Sequence, residues 1–214
     1  MAPPNSWPGL GDEELLLAVA NTAHGERDEL ADAGSVRAWW DGLGAAQAGD
    51  RPTEPDGAEP NGAEPDGAES GGAEPGGAEP GGAAVLRGLR GLIRGLALRN
   101  NGIEPDLSAA AGLDAVALRL DVIGAPTLRA DVPGDLARDI GAATVAALLR
   151  ATARPGWPRV KACRGEDCRW VFIDGSRNTS RRWCAMANCG NRAKMVTFRD
   201  RHRGTSPRPA RSSS

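Results

Sequence analysis

Apolar positions recur along this chain with the period of a helix in four places and with the period of a strand in one or two. In "GDEELLLAVANTAHGERDEL", Leu15, Leu16, Val19 and Ala20 share one helical face behind acidic first-turn residues, which suits a helix start. "GSVRAWWDGLG" reads as a second, short helix, with Ser35 as N-cap, Val36, Trp39, Trp40 and Leu43 as its apolar stripe, and Gly44 as its stop. The paired tryptophans are expected in the core. A third helix runs through "AAVLRGLRGLIRGLALRNNG": Val85, Leu86, Leu89, Leu92, Ile93 and Leu96 recur at i+3 and i+4, while Arg87, Arg90, Arg94 and Arg99 take the other side. That basic side is expected to be a solvated face, and Asn100, Asn101 and Gly102 end the helix. Its internal glycines weaken it in isolation, so tertiary packing must hold it. Val116, Leu118, Leu120 and Val122 then alternate with polar residues before a turn at Gly124 to Pro126, a hairpin signal. "PGDLARDIGAATVAALLR" follows as an amphipathic helix turning Leu136, Ile140, Ala143, Ala147 and Leu148 inward.

Between the second and third helices the pattern vanishes. Residues 54–83 are six tandem pentapeptides of the EPDGA/EPGGA kind. A period of five suits neither a helical solenoid nor a collagen triplet. With Pro, Gly and Glu dominant and no large apolar residue, the stretch cannot offset its chain entropy by burial, and it is expected to be a disordered insert. The prolines and glycine of "ARPGWPR" mark a boundary near 153–159. The expected organisation is a helical body at 10–150 interrupted by the repeat at 54–83, a linker at 151–160, a small module at 161–203 and a disordered tail at 204–214.

Charge divides the chain at the same boundary. From Arg154 onward there are 15 Lys and Arg against 4 Asp and Glu, whereas residues 1–153 carry 11 basic and 24 acidic residues. An acidic body joined to a basic module points to a polyanionic partner for the module. "MAPPNSWPGL" has no basic n-region followed by an apolar stretch, and "LLLAVA" at 15–20 is too short to cross a bilayer. The expectation is a cytoplasmic protein with no membrane partner, in a compartment that keeps thiols reduced.

All four cysteines fall in the basic module, in the pattern C-x4-C-x15-C-x4-C: Cys163, Cys168, Cys184 and Cys189. Tetrahedral zinc accepts four thiolates in a closed structural site, and the gap between the pairs falls in the range of such sites. The module needs such a staple, because its few large apolar residues are too small a core for about forty residues. A redox pair is disfavoured, since reactive thiols of that kind usually sit two apart. A catalytic zinc is disfavoured too, for lack of an open position and an acid or base; His24 and His202 have no ligand-like context. Between the pairs, a strand at Trp170 to Ile173, a turn at Asp174 to Ser176 and a return toward Trp183 are expected. A helix after Cys189 should fold Met195 and Phe198 back on that hairpin. The fold class is therefore mainly α: a helical N-terminal domain with a small β-hairpin, and a small treble-clef-like zinc finger of hairpin and helix.

The run "CRGEDCRWVFIDGSRNTSRRWCAMANCGNRAKMVTFRDRHR" resembles the CGNR zinc finger, whose tetrapeptide stands here as Cys189-Gly190-Asn191-Arg192. Asn21-Thr22, "RDELADAGSVRAWWDGLG" and "VLRGLRGLIRGL" resemble the ABATE domain that commonly precedes this finger, with the repeat as an interruption. The resemblance implies a stress-related transcription regulator with a DNA-binding finger.

Read together, these features give a zinc-containing protein whose arginines face double-stranded DNA. Arg177, Arg181 and Arg182 would present from the hairpin, and Arg192, Lys194, Arg199, Arg201 and Arg203 from the helix. Asn191 is expected to hydrogen-bond the zinc turn rather than read a base. The body would regulate through a small-molecule effector or a homodimer partner. The alternative is a zinc-stapled protein- or RNA-interaction module, in which Trp170, Phe172 and Trp183 stack bases instead of forming a miniature core. No nucleophile–base motif, phosphate loop or dinucleotide fingerprint is present in the sequence, so no enzymatic activity is expected.

Overall fold

Three helices build the frame on which the cysteine module rests. In the computed structural model, which describes residues 10–48, 81–122, 126–132 and 134–203, these are α1 (Asp12–Ala20), α3 (Gly82–Asn100) and α4 (Leu136–Thr152), with α2 (Ala33–Ala48) across them. Short antiparallel pairs lie between: β1 (Ala23–His24) with β2 (Arg27–Asp28), and β3 (Leu118–Asp121) with β4 (Thr127–Ala130). The module contributes β5 (Val160–Ala162), β6 (Val171–Ile173) and α5 (Asn191–Arg203). The chain is thus mainly helical with small hairpins. No helix among the described residues is long and apolar enough to cross a membrane.

Most apolar stripes read from the sequence are buried. Leu15, Leu16, Val19 and Ala20 of α1 meet Val85, Leu86, Leu89 and Ile93 of α3 and Ile140 and Ala147 of α4 in one cluster. Trp40 lies in that core and Trp39 packs against it at a ring separation of 5.7 Å. Local chemistry sets the ends. Asp135 caps α4 by accepting from the N–H groups of Ala137 (2.9 Å) and Arg138 (3.2 Å). Asp12, in the first turn of α1, accepts from Arg150 (2.6 Å) and Arg154 (2.8 Å) at the end of α4, joining two helix ends of opposite partial charge. The Arg150 guanidinium beside it holds the Asp12 carboxyl below its ordinary value.

Several details depart from the sequence reading. Helix α2 starts at Ala33, with Asp32 rather than Ser35 in the capping role: its carboxylate accepts from Ser35 N at 2.8 Å. The helix also runs through Gly44 to Ala48, because a glycine weakens a helix without ending it unless the chain turns left-handed there. Helix α3 begins inside the last repeat unit, so Gly82 and Ala83 are helical; Gly82 is buried against the start of α4. Residues 54–80 of the repeat, most of the turn at Gly124 to Pro126 and the tail at 204–214 lie outside the described residues. In the β3–β4 hairpin, Leu118 is half-buried but Leu120 and Val122 are exposed, since the arm runs past the edge of the body.

The arginine side of α3 is not a solvated face. Arg87 donates to the carbonyls of Leu30 (2.6 Å) and Ala31 (2.9 Å). Arg90 forms a two-pronged pair with Asp28 (2.6 and 2.9 Å), and Arg94 donates to the carbonyls of Ala20 (2.7 Å) and Ala23 (2.6 Å). Together they strap the 20–31 connection onto the helix, Arg87 and Arg94 by its backbone carbonyls and Arg90 by the Asp28 carboxylate. Only Arg99, near the helix end, is largely exposed, beside Glu104 at 3.5 Å.

Residues 151–160, read as a linker, are the last turn of α4, a 3-10 turn at Trp157–Arg159 and the first residue of β5. Replacing Arg94 by Met leaves the Ala20 and Ala23 carbonyls unpaired and should cost about 2–3 kcal/mol in urea unfolding, whereas Arg99→Met should stay within about 0.5 kcal/mol of wild type.

Candidate metal centre

Val160, Ala162 and Val171 belong to the same buried cluster as the helices, so the strands that lead into the cysteines are anchored before any metal arrives. The register pairs Val160 with Ile173, Lys161 with Phe172 and Ala162 with Val171. This hairpin folds over the first cysteine pair. The return strand expected toward Trp183 is absent, because the edge of β6 is taken by a side chain: Asn21 accepts from Val171 N (2.8 Å) and donates to Val171 O (3.0 Å), imitating a neighbouring strand.

Cys163 follows β5 directly, its N–H held by the Trp170 carbonyl at 2.8 Å. A tight turn then places Cys168, with its N–H on the Gly165 carbonyl (3.1 Å), while Gly165 N lies 3.5 Å from the Cys163 sulfur. The second pair arrives through a turn at Met186–Gly190 that opens α5. Gly190 is buried in that turn, with the flexible Met186 side chain lying over its Cα. Asn191 closes the turn by donating to the Ala187 carbonyl at 3.0 Å, the structural role expected of it.

The four sulfurs all lie within 4.8 Å of one another. Cys168 and Cys184 are separated by 3.5 Å and Cys184 and Cys189 by 3.7 Å, far beyond a disulfide bond, and all four cysteines are free. A tetrahedron with zinc–sulfur bonds of about 2.3 Å has edges of about 3.8 Å. The electrostatics agree with that fit. Burial together with the neighbouring Cys168 pushes the Cys184 thiol far up, and the same causes push Cys189 up to about 11. Burial acts the same way on Cys163, but N–H groups directed at its sulfur outweigh it and the net shift is down. Four such thiols ionise together only around a dication.

Residues 159–202 match the family model of the CGNR zinc finger. No curated protein matches the chain. The finger's cofactor is zinc, and Cys163, Cys168, Cys184 and Cys189 form the cluster that could hold it. A closed set of four thiolates leaves no site for substrate, so the metal's work here is to hold shape.

A second organising centre was not legible in the spacing of the cysteines. Asp174, fully buried, accepts from Lys161 Nζ (2.8 Å), Ser176 N (2.9 Å), Ser176 Oγ (2.6 Å) and Arg181 N (3.0 Å). Although burial raises its pKa, the bonds from Lys161 and Ser176 win and hold the carboxyl well below its usual range. Lys161, only 6% exposed at its side chain, also donates to the Thr179 and Arg181 carbonyls. Thr179 is held there at φ +48°, left-handed backbone that a β-branched residue seldom adopts. The Asp-x-Ser spacing of the "FIDGSRN" run was the available signal, for an Asx-type turn, but nothing in it named Lys161 as the partner.

The cationic residues expected to face DNA divide into groups. Arg181 is committed to the module: its guanidinium lies 4.7 Å from the Phe172 ring and donates to the carbonyls of Trp183 (2.9 Å) and Cys184. Arg177, Arg182, Arg192, Lys194 and Arg199 are exposed. The Arg201 and Arg203 side chains lie outside the described residues, although their backbone continues α5. The helix packs chiefly on the Met186–Gly190 turn, and Met195 and Phe198, expected to fold back, are 55% and 60% exposed. Of the aromatics, Phe172 is buried, Trp183 is half-buried and Trp170 is exposed, edge-on to His24 at 6.0 Å.

One zinc per chain is expected by metal analysis, and Cys184→Ser should abolish its retention. Asp174→Ala strands the buried Lys161 charge and should destabilise the protein by about 3–5 kcal/mol, while the Asp174→Ala, Lys161→Met pair should recover much of that loss in a double-mutant cycle.

Proposed function

We propose that the finger binds double-stranded DNA through α5 and the loop beside it, and that the chain is a transcription regulator whose ABATE-like helical body controls the finger. The observation that carries this reading is the exposed set Arg177, Arg182, Arg192, Lys194 and Arg199 on a helix and loop fixed by a rigid four-thiolate centre. Lysine and arginine on such a face pair with phosphates and release counterions, and an arginine within a groove can grip guanine with two bonds. The exposed Met195 and Val196 on the same helix suit contact with thymine methyl groups. In this reading Arg181 shapes the surface without touching DNA, and Arg201 and Arg203 extend the basic helix.

Regulation through the body would use a small-molecule effector or a second copy of the chain. An apolar cavity of about 170 Å³ between α3, α4 and the β3–β4 hairpin, walled by Val85, Leu89, Leu92, Leu113 and Val145, supports the effector version. The function is one of binding, with no reaction assigned, in a reducing compartment such as the cytoplasm that leaves the thiols available to zinc. The exposure of Trp170 favours a second reading, in which the finger stacks unpaired bases of RNA or single strands, or docks on a protein.

The test is binding of the zinc-loaded full chain to duplex DNA across a salt series. Affinity should fall steeply with salt, and Arg192→Ala or Lys194→Ala should each lower the slope of log K against log salt by about 1. Arg181→Ala should instead loosen the zinc centre. Absence of duplex binding at low salt would overturn the proposal, and preferential competition by single strands would move the assignment to the second reading.

A further inference from the structure

The end of α3 reaches the finger through two asparagines, and one of them enters the metal centre. Leu98 to Ile103 close the helix with paired bonds, Gly102 N to Arg99 O (2.9 Å) and Ile103 N to Leu98 O (3.1 Å), around Gly102 at φ +72°. This closure aims Asn101 out of the helix and into the base of the metal centre, where it is buried. Its amide donates to the carbonyl of Ala162 at 2.8 Å and to that of Arg182 at 3.0 Å. Its own backbone carbonyl accepts from the Arg164 guanidinium, Nε at 3.0 Å. The Arg182 carbonyl also accepts from Arg164 N at 3.2 Å.

Those partners bracket the ligands. Ala162 and Arg164 flank Cys163, and Arg182 stands two residues before Cys184. Asn101 therefore joins the segments carrying the first and third cysteines, one from each pair. Its neighbour Asn100 donates to the carbonyls of Trp157 and Val160, both at 2.9 Å, upstream of the cysteines. Asn100 docks the strand; Asn101 sets the relation between the two halves of the centre.

We infer that Asn101, supplied by the helical body 61 residues before its partner Ala162, is a positioning residue of the zinc centre and governs how tightly the metal is held. Outer partners that orient metal ligands commonly change affinity about 10- to 100-fold when removed. Here they act on backbone carbonyls adjoining the ligands, so that zinc retention is a property of body and finger together. This goes beyond DNA binding and does not depend on it.

The test follows zinc transfer from the full-length zinc-loaded protein to a chromogenic chelator. Asn101→Ala and the near-isosteric Asn101→Asp, which loses the donors, should release zinc about 10- to 100-fold faster than wild type. Asn100→Ala and Ile140→Val, which loosen the docking and the body core respectively, should release it at nearly the wild-type rate. Should the alanine variant fail to fold, the aspartate variant carries the comparison, with the absorption of its cobalt-substituted form as a second readout. That spectrum should change for Asn101→Asp and not for Asn100→Ala. Wild-type release and an unaltered cobalt spectrum in Asn101→Asp would overturn the inference. So would faster release in all variants in proportion to lost stability, since Asn101 would then only help hold the fold.

Discussion

Strand β5 enters the helical core immediately before Cys163, and that one continuity constrains the rest of the molecule. Val160 and Ala162 are buried among residues of α1, α3 and α4, so the first metal ligand is delivered from a position the body has already fixed. A finger of about forty residues lacks the apolar content to fold unaided. This one borrows a core through β5 and β6 and adds zinc at the end the core does not cover. Burying a strand this way creates its own demand, because each backbone N–H and carbonyl taken from water needs a partner. Asn21, Asn100 and Asn101 meet it, each using a short, planar amide where no strand is available.

The same logic places the charged side chains. Arg87 and Arg94 satisfy carbonyls of the connection between α1 and α2, and Arg90 pairs with the Asp28 carboxylate within it. Lys161 and Asp174 do the corresponding work inside the finger, where the loop from Asp174 to Arg181 has no regular structure to absorb its polar groups. Both are buried ionic groups that stand only because every neighbour is complementary. Positive charge in this chain therefore has two functions, and position relative to the core separates them. Arginines facing the body hold backbone or a carboxylate, and Arg177, Arg182, Arg192 and Arg199 meet solvent.

Much of the architecture was legible from periodicity. The stripes of α1, α3 and α4 are buried, and the cysteine spacing singled out the four thiols that the fold brings together. What could not be read depended on partners distant in sequence. Arg94 looks like a surface residue until the 20–31 connection crosses it. Asn21 and Asn101 look like helix-ending residues, which they are, and nothing local shows that their amides reach residues 162 to 182. The strand Val171–Ile173 was visible, but its partner was sought on the wrong side of the loop, since the edge it needed is occupied by a single asparagine. Met195 and Phe198 followed a helical spacing that usually means burial. In the structure both are exposed.

Helix α5 is the element this economy leaves over. It springs from the zinc turn, held by the Cys189 ligand, Gly190 against Met186 and the Asn191 bond to Ala187, and packs on little else among the described residues. A helix of that length has marginal stability in water unless a face is covered or its start is fixed. Here the start is fixed and the faces carry both cations and large apolar side chains. Such a surface is costly to leave in water and well matched to a polyanion with apolar features along its groove. In the proposed DNA-binding role, the metal would orient the helix before the partner arrives. A centre gripped from the body through Asn101 would let that orientation be altered from outside the finger.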